Sequence, residues 1–185
     1  MNQKPKKSLA EMLEKRDILG LIELYKEKAI DPADELLILK SYEIPIILHY
    51  AKFHPFKEEN ITAILNKETP ANVIEEIIKI TVYDFSDKQQ QLLIEIKNPS
   101  LINCYFTRFK NFSNKVLINA IRKKDNRFLK EYINLHYLSA EAQKELIYSR
   151  NVEMILLYCD RHGFYKEVQK EFLTYLDAKT STSIH

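Results

Sequence analysis

The side chains in this 185-residue sequence best suited to acid–base, nucleophilic or metal chemistry are five histidines, two cysteines and a few paired carboxylates. Histidine comes first, because its charge changes near neutral pH and its neutral ring ligates metals. Three of the five, His54, His136 and His162, each follow a tyrosine by four residues (Tyr50, Tyr132, Tyr158). That spacing puts each pair on one helix face, where ring bodies pack and polar tips find partners. An active site needs one asymmetric constellation, whereas a pair copied three times is what packing in a repeat produces. These three histidines are therefore read as structural. His49 stands outside the pattern and His185 ends the chain; spacing gives neither a partner. An enzyme built on His49 and neighbouring acids is the weakest of the functional readings.

The glutamate doublets Glu58-Glu59 and Glu75-Glu76 are sequence neighbours, which on a helix point roughly 100° apart. They read as solvated faces and helix-start charges rather than as an acid/base pair. Cys104 and Cys159 are far apart and lack the spacing of a disulfide framework or a zinc site. Beside apolar residues, each reads as an inert buried thiol. No H-E-x-x-H, G-x-S-x-G or phosphate-loop motif occurs, and two glycines, Gly20 and Gly163, are too few for a dinucleotide fingerprint. The sequence is accordingly read as a non-enzyme, with no catalytic residue, no metal site and no cofactor expected.

One segment departs from an otherwise balanced charge pattern. Residues 97–130 hold nine Lys/Arg (Lys97, Arg108, Lys110, Lys115, Arg122, Lys123, Lys124, Arg127, Lys130) against one acid, Asp125. Nine minus one is +8, so the rest of the chain carries −6 to reach the net +2. Tyr105, Phe106, Phe109 and Phe112 are interleaved with these cations. Such a patch suits an acidic protein surface or nucleic acid. The plainer account is aromatics filling a core while cations are solvated or favour helix C-termini, as Arg122-Lys123-Lys124 would. The candidate partner-binding set is Arg108, Lys110, Arg122, Lys123, Lys124, Arg127 and Lys130.

What must position these residues is a repeat. Ile30, Phe56, Phe85, Phe112, Leu138 and Phe164 mark unit starts spaced 26, 29, 27, 26 and 26 residues apart. Regular spacing of that length belongs to stacked supersecondary units. Each unit reads as two short helices. First helices open at Asp31-Pro32, Ser86, Ser113 and Ser139; second helices open at Thr69-Pro70, Asn98-Pro99, Asp125 and Asn151. Ser8 with Glu11 and Ser86 with Gln89 have the form of capping boxes. Two earlier helices are expected near 8–15 and 17–29, with Leu13, Ile18, Leu21, Ile22 and Tyr25 facing inward. The second helices share a layout: Ile46-Ile47, Leu101-Ile102, Phe128-Leu129 and Met154-Ile155, then Tyr50, Tyr105, Tyr132 and Tyr158, then His54, Phe109, His136 and His162. The unit 56–84 is longer and lacks the tyrosine, so an irregular turn is expected there. A closing helix is placed at about 164–178.

The expected fold is all-α, an α-solenoid of about six stacked helical hairpins. A single repeat domain over 8–178 is flanked by a flexible basic arm, 1–7, and a disordered tail, 179–185. The pattern in LSAEAQKELIYSRNVEMILLYCDRHGF, residues 138–164, resembles the short two-helix repeats of bacterial α-solenoids, similar to HEAT-type and variant leucine-rich repeats. Some HEAT-like folds, relatives of DNA glycosylases, bind duplex DNA in a concave face; their characteristic tryptophans have no counterpart here, since the chain has no Trp. Stacked hairpins leave a long, gently curved face, so the expected function is a non-enzymatic scaffold or adaptor that binds another protein, of bacterial immunity or effector type, with nucleic-acid binding through the basic segment 97–130 as the alternative. With no apolar run behind the basic N-terminus and none long enough to span a bilayer, the expected address is the cytoplasm, without membrane contact.

Overall fold

The computed structural model of the chain describes residues 8–27 and 30–182, with the side chains of residues 25, 27 and 175–182 outside the description. The basic arm expected at 1–7, the inward Tyr25 side chain, the end of the expected tail and His185 lie outside the described residues. Among the described residues the chain forms thirteen helices and no strand. They are α1 Leu9–Glu14, α2 Ile18–Glu27, α3 Pro32–Lys40, α4 Ile44–Ala51, α5 Glu58–Ile64, α6 Ala71–Ile80, α7 Asp87–Glu95, α8 Pro99–Phe109, α9 Asn114–Arg122, α10 Asn126–Leu135, α11 Ala140–Tyr148, α12 Val152–Arg161 and α13 Lys166–Thr182. The last runs past residue 178, so residues 179–182 continue the helix.

Side-chain caps set most of the starts. Ser8 and Glu11 satisfy each other's backbone N–H, at 3.3 and 3.1 Å. Asp31, Asn98, Ser113, Asp125 and Ser139 each accept from the first turn of the adjoining helix. Pro32 and Pro99 sit at first helical positions, where the N–H they lack would have gone unpaired. Asn151 departs from the expected pattern: it precedes α12 without capping it, and its amide donates to Asn126 Oδ1 instead.

The chain divides into two compact units, Met1–Lys110 and Asn111–His185. In the first, odd-numbered helices pack in the order α1, α3, α5, α7 and even-numbered ones in the order α2, α4, α6, α8. In the second, α9, α11 and α13 pack in one row and α10 on α12 in the other. The shared layout of the second helices holds the core. Tyr50, Tyr105, Tyr132 and Tyr158 are buried at equivalent positions, and so are Ile46-Ile47, Leu101-Ile102, Phe128-Leu129 and Met154. At about 1.5–3 kcal/mol for each large apolar side chain removed from water, these positions outweigh any contribution from local propensity. Ile18 is a correction: it opens α2 and is 49 % exposed, on a helix that packs chiefly against α1 and α4. Leu21 alone of the expected inward set is fully buried, while Leu13 and Ile22 are half-buried.

The unit at 56–84 is the irregular one. Ile77 of α6 occupies the tyrosine position, and Thr81 stands where the other second helices carry His or Phe. Its internal turn is built on Asn66, whose Oδ1 accepts from the N–H groups of Glu68 and Thr69.

A polar clasp, absent from the sequence-based expectations, ties the first helices α3 and α11 to the next repeat along the chain. Gln143 Oε1 accepts from Tyr165 N–H at 2.9 Å, and its Nε2 donates to Tyr158 Oη and to the Leu138 carbonyl. Glu35 does the same work in the first unit. It accepts from Lys57 N–H at 2.7 Å, Asn60 Nδ2 at 2.8 Å and Tyr50 Oη at 3.2 Å while only 2 % exposed. The separations match: fifteen residues from clasp to tyrosine and twenty-two to the next repeat's N–H in both cases.

Candidate partner-binding surface

The boundary between the units falls inside the basic segment, so its two parts are taken separately. In the first unit, Lys97 follows α7, and Arg108 on α8 donates from Nη2 to the Thr81 carbonyl at 3.1 Å. Its guanidinium carbon also lies 5.3 Å from the Phe109 ring centre. Lys110 ends α8 with φ 69°. In the second unit, Arg122 makes two parallel hydrogen bonds to Glu145, at 3.0 and 2.9 Å, and Lys130 pairs with Glu153 at 2.6 Å. The hydrogen bond to Glu145 raises the Arg122 pKa above its ordinary value, and that from Lys130 holds the Glu153 carboxyl below its own. Three members of the set thus bind the next or preceding repeat.

The other cations of the second unit gather in one turn. Lys123 caps α9, Lys124 comes next at φ 52°, and Arg127 lies in the first turn of α10. All three are exposed, and Asp125 between them is turned to cap the Phe128 N–H. A cation in a helix's first turn opposes the macrodipole, so helix stability does not account for Arg127. Among the described residues Lys124 and Arg127 have no carboxylate within ion-pair distance. Lys115 is exposed near the start of α9.

Lys124 also belongs to a series that sequence reasoning missed. The residue joining first to second helix is left-handed at Arg16 (φ 50°), Tyr42 (57°), Lys97 (61°), Lys124 (52°) and Arg150 (54°). Four of the five are cations. An L-residue with a long side chain there costs about 1 kcal/mol that glycine or asparagine would largely avoid. A cation past a helix C-terminus returns about 0.3–1 kcal/mol. The two terms nearly cancel, so the fold tolerates these cations without requiring them. The available signal was a basic residue before Asp or Asn: Arg16-Asp17, Lys97-Asn98, Lys124-Asp125 and Arg150-Asn151.

The residues with catalytic potential are arranged as a packing series. Ring centres are 5.4 Å apart for Tyr50–His54, 5.0 Å for Tyr105–Phe109, 5.1 Å for Tyr132–His136 and 5.2 Å for Tyr158–His162. Burial, with His162 nearby, lowers the His136 pKa. His49 stacks on Phe53 at 5.3 Å with its Nδ1 sealed from solvent and unpaired. Burial raises both thiols; Cys104 donates to the Glu75 carbonyl, while Cys159, expected to be buried, is exposed on the side of α12 away from its packed tyrosine. Glu75 and Glu76 diverge as neighbours on a helix should, toward Ser100 and Lys79 respectively. Among the described residues no three of His, Cys, Asp and Glu converge on a point that could hold a metal ion.

Apolar side chains complete the surface of the second unit: Val152 is 64 % and Leu156 63 % exposed on α12, and Leu135 and Tyr137 are exposed where α10 ends. Among the described residues no helix is long and apolar enough to cross a membrane. No protein-family model matches the chain, and neither the curated proteins nor the solved structures contain a match.

Proposed function

We propose that the chain is a non-enzymatic binding module, an α-solenoid of about six short hairpins acting in the cytoplasm as a scaffold or adaptor for another protein. Repeats of this kind cannot bury their apolar faces alone, so stacking creates extended surface suited to partner recognition. The observation that carries the reading is the surface formed by α9 to α12. Arg150 stands two residues from the exposed Val152, Leu156 comes one turn later, and Lys124 and Arg127 lie exposed in the preceding hairpin. Apolar groups bordered by cations make the usual anatomy of a protein interface, with apolar contacts for affinity and charges for orientation. A bacterial immunity or effector-type role fits this design.

Affinity capture with the full chain as bait, after nuclease treatment, with mass spectrometry of the eluate, tests it. A specific protein partner should be retained by the wild type and lost on double replacement Lys124→Glu and Arg127→Glu. Equal recovery by both baits would remove the basic turn from the interface.

A second reading, nucleic-acid binding through segment 97–130, draws on Lys123, Lys124 and Arg127 sharing one exposed turn. It requires affinity that falls steeply with salt, because phosphate contacts release counterions. Fluorescence anisotropy showing no binding at low salt would end it.

A further inference from the structure

The geometry points to a ring-binding site in the groove between the C-terminal ends of α4 and α6, taking an aromatic side chain with a ring N–H or O–H from a protein partner. It rests on the reading of the chain as a protein-binding module but uses none of the basic residues. The pair α10 and α12 shows one such groove filled. There His162, four residues past Tyr158, lies against the Tyr137 ring at 4.3 Å between centres and bonds through Nε2 to the Ile133 carbonyl. The corresponding positions between α4 and α6 are Thr81 for His162, Pro55 for Tyr137 and Ala51 for Ile133. Each is smaller, and the α6 position carries no ring.

The result is an open groove of about 240 Å³ that Ala51, Pro55 and Thr81 all line, together with Phe53, Val82 and Tyr83. An apolar cavity of about 150 Å³ suffices for benzene, so this one accommodates a larger ring. Phe53 and Val82 form an exposed apolar rim, 45 % and 72 % accessible. The occupant's polar atom also has a counterpart. Ala51 stands where Ile133 gives its carbonyl to an imidazole, and the residue four positions on, Pro55, has no N–H to donate to the Ala51 carbonyl. The extra loop residues after α6 only partly fill the space. Tyr83 is half-buried, its hydroxyl shut away from solvent without a well-formed hydrogen bond. A pocket that takes one aromatic anchor beside an apolar rim is the arrangement found at energetic centres of protein interfaces.

Backbone-amide NMR of the full chain, titrated separately with p-cresol, indole and imidazole, tests the site without knowledge of the partner. Saturable shifts confined to Ala51, Phe53, Val82 and Tyr83 are expected, with Kd on the order of 1 mM for the tightest ring and at least about tenfold weaker binding of cyclohexanol. Thr81→His gives α6 the ring that α12 carries and should weaken the probe at least about tenfold. Ala51→Leu, which narrows the groove from the opposite wall, should do the same if the first variant folds poorly. No saturable shift in the wild type, or an unchanged Kd in both variants, overturns the site. Probe binding by a chain that captures no protein would instead sink the module reading, and a partner's side chain as the ring's source with it.

Discussion

Replacing Glu35 separates a structural carboxylate from a functional one. It is buried and surrounded by three donors: the Lys57 N–H, the Asn60 amide and the Tyr50 hydroxyl. Glu35→Ala would take the acceptor from the Lys57 N–H and from the bond that the Tyr50 hydroxyl makes to it, and one of two from the Asn60 amide, which keeps the Pro32 carbonyl. Stranding a buried donor costs about 1–3 kcal/mol; water can reach the Lys57 side, so a total of ~3 kcal/mol is the reasonable sum. For a chain of this size that lowers the melting temperature by about 6–12 °C. Glu35→Gln should behave differently, because Gln143 already performs this clasp. The new Oε1 would keep the Lys57 and Asn60 bonds, and the new Nε2 would donate to Tyr50 Oη as Gln143 Nε2 does to Tyr158 Oη at 3.0 Å. The expected loss is below about 1 kcal/mol. Thermal and urea unfolding monitored by far-ultraviolet circular dichroism decide the matter. If Gln proves as costly as Ala, the charge itself matters and the clasp account fails; if Ala costs under about 1 kcal/mol, the three bonds are not holding the repeat together.

Lys124→Gly and Arg150→Gly should each cost no more than about 1 kcal/mol, because the relieved left-handed strain offsets most of the lost helix-end charge and of glycine's greater backbone entropy. The same variants should weaken partner capture, and a loss well above that in urea melts would contradict the strain account. Stability should fall as pH drops below about 6.5. Burial holds folded His136 below that ordinary value, so over this range the unfolded state binds more protons and folding must expel one. His136→Gln should flatten that slope, and an unchanged pH profile in the variant would assign the dependence elsewhere. Native Cys104 should alkylate with iodoacetamide much more slowly than the denatured thiol at neutral pH, since burial raises its pKa and ties the thiol to the Glu75 carbonyl. Equal rates by mass spectrometry would mean that α8 opens readily from α6.

The helix starts and the buried faces were legible because their signals are chemical and local. Ser8, Asp31, Asn98, Ser113, Asp125 and Ser139 cap where their hydroxyl, carboxyl or amide types say they should, and apolar pairs four residues before a tyrosine can only be a buried stripe. Asn151 breaks the rule because a side-chain amide can serve a neighbouring repeat as readily as its own helix, and one sequence position cannot say which. The clasp escaped for a related reason. Glu35 and Gln143 differ in charge, and their equivalence emerges only when both are seen to accept from an N–H twenty-two residues later. The basic segment was legible as composition and illegible as a surface: nothing in the order of residues says that Arg122 faces Glu145 and Lys130 faces Glu153 while Arg127 faces water.

Functional content in a repeat array should be sought where a position stops obeying the packing rule that its equivalents obey. His54, His136 and His162 obey it, each against its tyrosine, and therefore carry little information about activity. Thr81 does not, and the groove beside it stays open where His162 fills its counterpart. The left-handed cations depart in a second sense. Asparagine or glycine would serve the turn at least as well, yet Arg16, Lys97, Lys124 and Arg150 place a charge there instead. Neither departure stabilises the hairpin it sits in. A partner that inserts one ring and presents acidic groups would give both a use.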